Sequence, residues 1–240
     1  FDKECVEAFF DVFSETSFLS LENETLESRL WDKIPRIKQE LDFSQIKELA
    51  NFFAHIVDYK SPFTSTHSMG VAKDAEKLTR YMGFEEETVQ KMYLAGALHD
   101  IGKVAIENEI LEKPGRLTEE EFGTMKHHAA YTSEYTYYIL SEIDDFEEIR
   151  DWAAFHHERL DGTGYPFGKA AAELNTQERM MACVDIYQAL TESRPYKLGM
   201  SHEKACGILC DMAGKGWIDG EIVRQVDSCF ASHFTGISVH

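Results

Sequence analysis

The most chemically loaded side chains are seven imidazoles and carboxylates scattered along the chain: His67, the pair His99-Asp100, His128, the pair His156-His157, and Asp185. Imidazole together with carboxylate suits divalent transition metals, and the lack of thiolate in the set argues against a structural zinc finger. Seven such groups suit two metals that share a bridging carboxylate and leave positions open for water. Neighbouring side chains diverge by about 100° on an α-helix, so one member of His99-Asp100 can cap one ion while the other bridges to the second. Singly, each residue is ordinary, since a lone histidine at a helix end is usually a hydrogen-bonded surface or core group. Order and setting give the set its weight. His99-Asp100 closes the apolar run Met92 to Leu98 and leads at once into Ile101-Gly102-Lys103, while His156-His157 ends another helical pattern and opens a glycine-rich stretch.

The elements that must position these groups read as helices. Apolar residues recur at three- and four-residue steps around 23–41, 43–58, 67–82, 85–99, 118–143, 145–156, 173–192, 201–213 and 219–233. Long runs of strict alternation are absent, so the chain is expected to be all-α, a helical bundle with little or no β-sheet. Two irregular stretches interrupt it, from about Val104 to Leu117 and from His157 to Ala172. The second holds Gly162, Gly164 and Gly168, glycines that accept positive φ and let backbone approach a ligand closely. Long loops inside a helical domain usually serve function. Residues 1–42 are expected to form a helical N-terminal extension, and 43–240 the catalytic domain.

Charge bounds the partners. With 24 basic and 43 acidic residues the net charge is −19, which disfavours long nucleic acid, because binding it requires lysine and arginine to displace counterions. A small anionic substrate remains compatible if local cations or metal ions reverse the field. No apolar run reaches the roughly 18–20 residues of a membrane span, and no secretory signal is present. The five cysteines are odd in number, scattered and without a CxxC pair, which fits buried thiols in a reducing cytoplasm. Phe1 stands where a start methionine would, as in an excerpt of a longer protein with an upstream sensor domain.

The blocks His99-Asp100-Ile101-Gly102-Lys103 and His156-His157-Glu158-Arg159-Leu160-Asp161-Gly162-Thr163-Gly164-Tyr165-Pro166 closely resemble the HD-GYP family of HD phosphohydrolases. Asp185, followed by Ala189-Leu190-Thr191 and Arg194-Pro195-Tyr196, joins them, and the likeness spans about Ser44 to Val226. It implies an HD-type helical bundle that hydrolyses cyclic di-GMP to the linear dinucleotide pGpG, a reaction some members carry onward to GMP. By resemblance, His67, His99, Asp100 and Asp185 hold one metal, and Asp100 bridges to a second held by His128, His156 and His157. His128 rather than His127 matches the family position, although the proline and glycine that usually follow are Ala129 and Thr132 here. Members with three metals carry a glutamate where this chain has Phe63, so two ions are expected, with Asp58 a further ligand only if its loop folds back. Gln188 replaces a second acid common in relatives and implies changed hydrogen bonding around the site. Iron or manganese is favoured, with zinc and nickel as alternatives.

Two metals about 3.5–4 Å apart activate water and clamp both sides of an in-line displacement, here with departure of a ribose 3′ oxygen. Asp100 and Lys103 are the expected catalytic residues, Lys103 one helical turn beyond His99 and offering charge to the phosphoryl oxygens. Arg194 and Lys197 resemble family residues that hold phosphates and guanine, and Tyr165 is expected to stack on a base or to hydrogen-bond a phosphate. With Gly162 and Gly164 of the loop they complete the expected substrate contacts. A diguanylate cyclase is an implied partner. The rivals are an HD phosphohydrolase for another nucleotide, such as a mixed cyclic dinucleotide, and a receptor that binds without hydrolysis.

Overall fold

A computed structural model describes residues 40–60, 66–140, 147–193 and 198–231. The expected extension over 1–42 therefore lies outside the described residues except for its last three. Helices α1 (Phe43–Lys60), α2 (His67–Tyr81), α3 (Glu86–Leu98), α4 (Asn108–Leu111), α5 (Glu119–Leu140), α6 (Glu147–Ala154), α7 (Thr176–Thr191), α8 (His202–Gly214) and α9 (Gly220–Phe230) follow in order, with 3₁₀ turns at Ile101–Ala105 and Ala171–Glu173. No strand occurs among the described residues; a single bridge, Asp161 to Ala170, pinches the glycine-rich loop. The all-α expectation holds.

Two helices form the centre because they are apolar nearly all round. Every residue of α3 from Met92 to Leu98 is buried, and α7 buries Met180, Met181, Cys183, Val184 and Tyr187. Helices apolar on all faces must be enclosed by others. Around them α2 contributes Val71, Ala72, Ala75 and Leu78, while α9 contributes a single stripe, Ile222, Val223, Val226, Cys229 and Phe230. Truncating one enclosed side chain, Leu94→Ala for example, costs about 2–5 kcal/mol.

Helix starts are written locally. Asn175 accepts from the Glu178 amide while Glu178 reaches back to the Asn175 amide, closing a capping box at the head of α7. Ser201 and Asp219 cap α8 and α9 one way only, their side chains accepting from first-turn amides that would otherwise be orphaned. Of the cysteines described, Cys183, Cys206 and Cys229 are buried thiols and Cys210 is an exposed one, as the scattered spacing implies.

The stretch expected to be irregular from Val104 to Leu117 contains α4 and the end of a 3₁₀ turn, too short to leave a periodic trace. Conversely, α6 stops at Ala154, so His156 and His157 lie in the turn after it rather than on the helix end.

Candidate metal centre and cavity

Five elements deliver the seven side chains, and small residues let those elements meet. His67 opens α2, His99 directly follows α3, His128 lies midway along α5, His156-His157 follow α6, and Asp185 is in the middle of α7. A Cβ on Gly96 would come within 2.7 Å of Ala72 Cα, so this glycine lets α3 press against α2. Gly102 does the same for the 3₁₀ turn on α5: a Cβ there would overlap the His128 carbonyl oxygen and stand 2.6 Å from the Thr132 amide. Gly102 donates its amide to Thr132 Oγ1 (3.1 Å), and that hydroxyl donates to the His99 carbonyl (2.9 Å). Thr132, the departure from the usual glycine, thus ties the HD block to the helix carrying His128.

The pair His99-Asp100 does not diverge as two helical neighbours would. The α-helix ends at Leu98 and Asp100 has φ −104° and ψ 7°, a conformation between helix and strand. Both side chains then face one spot, with His99 Nε2 3.3 Å from Asp100 Oδ2.

Three histidines are oriented by one repeated device. His99, His128 and His156 each present Nδ1 to the carbonyl three residues earlier, Gly96 (2.8 Å), Met125 (2.7 Å) and Ala153 (2.7 Å). A carbonyl can only accept, so Nδ1 carries a proton in all three. Nε2 keeps its lone pair in His128 and His156, while Nε2 of His99 holds a second proton beside Asp100 until a metal displaces it. All three Nε2 atoms are buried, and among the described residues none has a hydrogen-bond partner of ordinary geometry. His67 faces the Gln188 Oε1 through Nδ1, which aims its Nε2 at Asp185 Oδ1, 3.1 Å away.

These ring nitrogens converge on carboxylate oxygens. Asp100 Oδ2 lies 3.3 Å from His99 Nε2 and 4.0 Å from His67 Nε2, while its Oδ1 faces His128 Nε2 at 3.5 Å. Asp185 Oδ1 is 3.8 Å from His99 Nε2. The ligand atoms of His67, His99 and Asp100 lie within 4.8 Å of one another, and so do those of His128, His156 and His157. Asp100 thus stands between two clusters with one oxygen toward each. Acceptors set against acceptors in a buried place repel unless a cation or extra protons intervene. The donor set fits divalent metal ions.

Protonation follows from the same crowding. Burial would raise the Asp100 carboxyl, but Lys103 and His99 outweigh it and hold the group well below the usual range. Asp185 is likewise driven far down, against its burial, by the His67 hydrogen bond and the neighbouring imidazoles. Burial lowers His128 and His156, and takes His157 to about 3. His99 goes the other way: burial opposes charge, yet Asp100 and Asp185 lift it to about 9.

Lys103 sits in the 3₁₀ turn, not one α-helical turn beyond His99, and its Nζ pairs with Asp100 Oδ2 at 2.5 Å. His128 is buried and His127 exposed. Gln188, expected to alter hydrogen bonding, does so through His67, and Gly70 leaves its amide room: a Cβ there would come 2.8 Å from Gln188 Cδ. Asp58 is buried but faces Ser68, accepting from its amide (3.3 Å) and hydroxyl (2.7 Å), so it steadies the first turn of α2. Phe63, Arg194 and Lys197 lie outside the described residues.

A cavity of about 400 Å³ opens beside this centre, lined by His156, His157, Tyr165, Phe122, Lys126 and Arg159 among others. That volume falls in the range of small-ligand sites, about 300–1,000 Å³. Tyr165 leans on His157, ring centroids 4.7 Å apart. Gly164 also lines this cavity, and the loop's glycines meet backbone demands of their own. Gly164 is needed because a Cβ would come within 2.5 Å of Glu158 Cα, and Gly162 because its φ is +77°. Glu158 accepts from the Phe167 and Lys169 amides (2.7 and 2.9 Å), bracing the loop. Phe122 and Lys126 escape sequence reasoning because nothing in their spacing separates them from an ordinary helix surface, and Arg159, inside the block from His156 to Pro166, carries no role there.

Comparison with known proteins points the same way. The sequence model of the family described as HD domain matches residues 51–222. The chain is 36% identical over 188 residues to the 3′3′-cGAMP-specific phosphodiesterase 1 of Vibrio cholerae, covering 78% of this chain and 43% of that one. It is 31% identical over 193 residues to the cyclic di-GMP phosphodiesterase response regulator RpfG of Xanthomonas campestris, covering 80% and 49%. The chain thus spans less than half the length of either relative. Among solved structures, a cyclic GMP-AMP-specific phosphodiesterase of Vibrio cholerae matches with 28% identity and a TM-score of 0.51, over 95% of this chain and 51% of that one.

Proposed function

Because the chain belongs to the HD domain family, in its HD-GYP branch, we propose that it is a metal-dependent phosphodiesterase that opens a cyclic dinucleotide. Cyclic di-GMP is the favoured substrate, cleaved to pGpG and onward to GMP, with a mixed cyclic dinucleotide as the second reading because relatives bear both names. The observation that carries the proposal is the set of imidazole nitrogens aimed at two ionised carboxylates beside a ligand-sized cavity.

In this reading His67, His99, Asp100 and Asp185 hold one divalent ion, and Asp100, His128, His156 and His157 hold the second, with iron or manganese preferred. When bound, such a pair supplies activated water and neutralises developing phosphoryl charge. The residues of the chain do the rest. The i−3 carbonyls and Gln188 fix which imidazole nitrogen is free. Lys103, already beside Asp100, presents its ammonium to the phosphoryl oxygens. Tyr165 offers a ring face for a base, and Arg194 and Lys197 are assigned to phosphate and guanine through the resemblance alone. Cations gathered here give an anion a foothold on a chain of net charge −19. The catalytic unit proposed is 43–240, acting in the cytoplasm under an upstream sensor domain or beside a diguanylate cyclase. Among the described residues, no helix is long and apolar enough to cross a membrane.

The test is to load the protein with manganese or iron, count bound metal, and follow cyclic di-GMP by chromatography. Two metal equivalents and a linear product are expected, with both lost in Asp100→Ala. Tight binding with no linear product in wild type and variant alike would establish the receptor reading instead.

A further inference from the structure

Lys126 is an unusual cation for this protein. It stands on α5, two residues before His128, and half-buried at the cavity. Among the described residues no carboxylate pairs with it, although acidic residues outnumber basic ones 43 to 24. Instead its Nζ lies over two aromatic rings, 4.7 Å from the Phe122 centroid and 5.5 Å from that of Tyr165. Phe122, one turn earlier on α5, keeps 45% of its surface exposed at the same cavity, where no core requires it. The other cation there, Arg159, is engaged over the Trp217 ring at 4.2 Å.

We propose that Phe122, Lys126 and Tyr165 form a purine subsite that selects guanine over adenine. This rests on the cyclic-dinucleotide reading and names the side chain that chooses the base. Aromatic faces accept any base, so stacking supplies affinity without choice. Choice comes from Lys126. An ammonium has three donors and no acceptor. Guanine presents two acceptors on one edge, N7 and O6, which a lysine can satisfy together, whereas adenine pairs its N7 with a donor at N6. The ammonium that meets two partners on guanine meets one partner and a repelling N–H group on adenine. Contact with the rings also limits the water the ammonium can keep, which sharpens the difference.

The experiment is calorimetric titration of the manganese-loaded protein with hydrolysis-resistant phosphorothioate analogues of cyclic di-GMP and cyclic di-AMP. Wild type is expected to prefer the guanine analogue by about 5- to 150-fold, the span of one good two-point base contact. Lys126→Met should erase most of that preference while leaving the affinity for the adenine analogue nearly unchanged, and Lys126→Arg, which reads the same two acceptors, should retain it. Circular dichroism confirms that each variant folds. Equal wild-type affinity for the two analogues overturns the proposal. So does a Lys126→Met variant that weakens both alike, which would make the lysine a phosphate contact. Selective, Lys126-dependent binding with no linear product from cyclic di-GMP would sink the hydrolase reading and leave the guanine subsite standing.

Discussion

Gly102→Ala tests whether the 3₁₀ turn must press on α5 to assemble the centre. The added Cβ would overlap the His128 carbonyl oxygen and crowd the Thr132 amide at 2.6 Å. Both are backbone, so no rotamer change relieves the clash; the turn has to move away. Overpacking of this kind costs about 1–3 kcal/mol. Displacement would also loosen the hydrogen bonds from Gly102 to Thr132 and from Thr132 to His99, which leaves buried backbone groups poorly paired at about 1–3 kcal/mol each. With the clash and the equivalent of one such pairing lost, about 2–6 kcal/mol in all, the melting temperature of a chain this size falls by about 4–24 °C. Gly123→Ala on the same helix is the control. A Cβ there meets nothing within 4 Å, so helix propensity alone should act, stabilising by about 0.5–1 kcal/mol, or about 1–4 °C. Because the clash separates Asp100 from His128, Gly102→Ala should also lose bound metal, while Gly123→Ala keeps it. Calorimetric melting and metal analysis read both effects. A Gly102→Ala protein that melts with wild type and binds as much metal would refute the close approach.

Gln188→Leu removes the group facing His67 Nδ1 and frees that ring to turn, so metal affinity should fall about 10- to 100-fold, read by competition with a chelator. Glu158→Gln leaves an amide N–H₂ group where the carboxylate now accepts from two amides; the expected result is a raised KM for cyclic dinucleotide with unchanged metal content, by steady-state kinetics and metal analysis. Metal loading in weak buffer at about pH 7–8 should release about one proton per chain, since His99, raised to about 9, must deprotonate to bind; uptake or no change would contradict its pairing with Asp100. The metal-free protein should lose stability from both sides. His157, lowered from 6.5 to about 3, contributes in full above pH 6.5 and loses that contribution as pH falls toward 3, because the unfolded chain then binds the proton more readily. His99 contributes below pH 6.5 and loses its contribution as pH rises through about 9. Urea titrations across pH check both slopes.

Much was legible in order and type alone. Periodicity located the long helices because enclosing an apolar face is a local constraint with a 3.6-residue rhythm, and it missed α4, which is shorter than that rhythm can reveal. The glycine-rich loop announced itself, but the close approach of Gly164 to Glu158, which forbids a Cβ there, is a contact no dipeptide records. Thr132 read as a departure from the family pattern and turned out to be a tie between two elements, because its partners, His99 and Gly102, lie some 30 residues away.

The sequence by itself determined the donor chemistry, since imidazole and carboxylate are fixed by residue type, and it determined the helical class, since side-chain pattern is local. Tertiary structure decided everything that depends on direction: which nitrogen of each ring faces the centre, that Asp100 turns one oxygen to each cluster, and that Lys126 rests over two rings with no carboxylate paired to it among the described residues. Those outcomes are set by contacts between segments far apart in the chain, where a shift of one ångström changes a partner and no spacing rule records it.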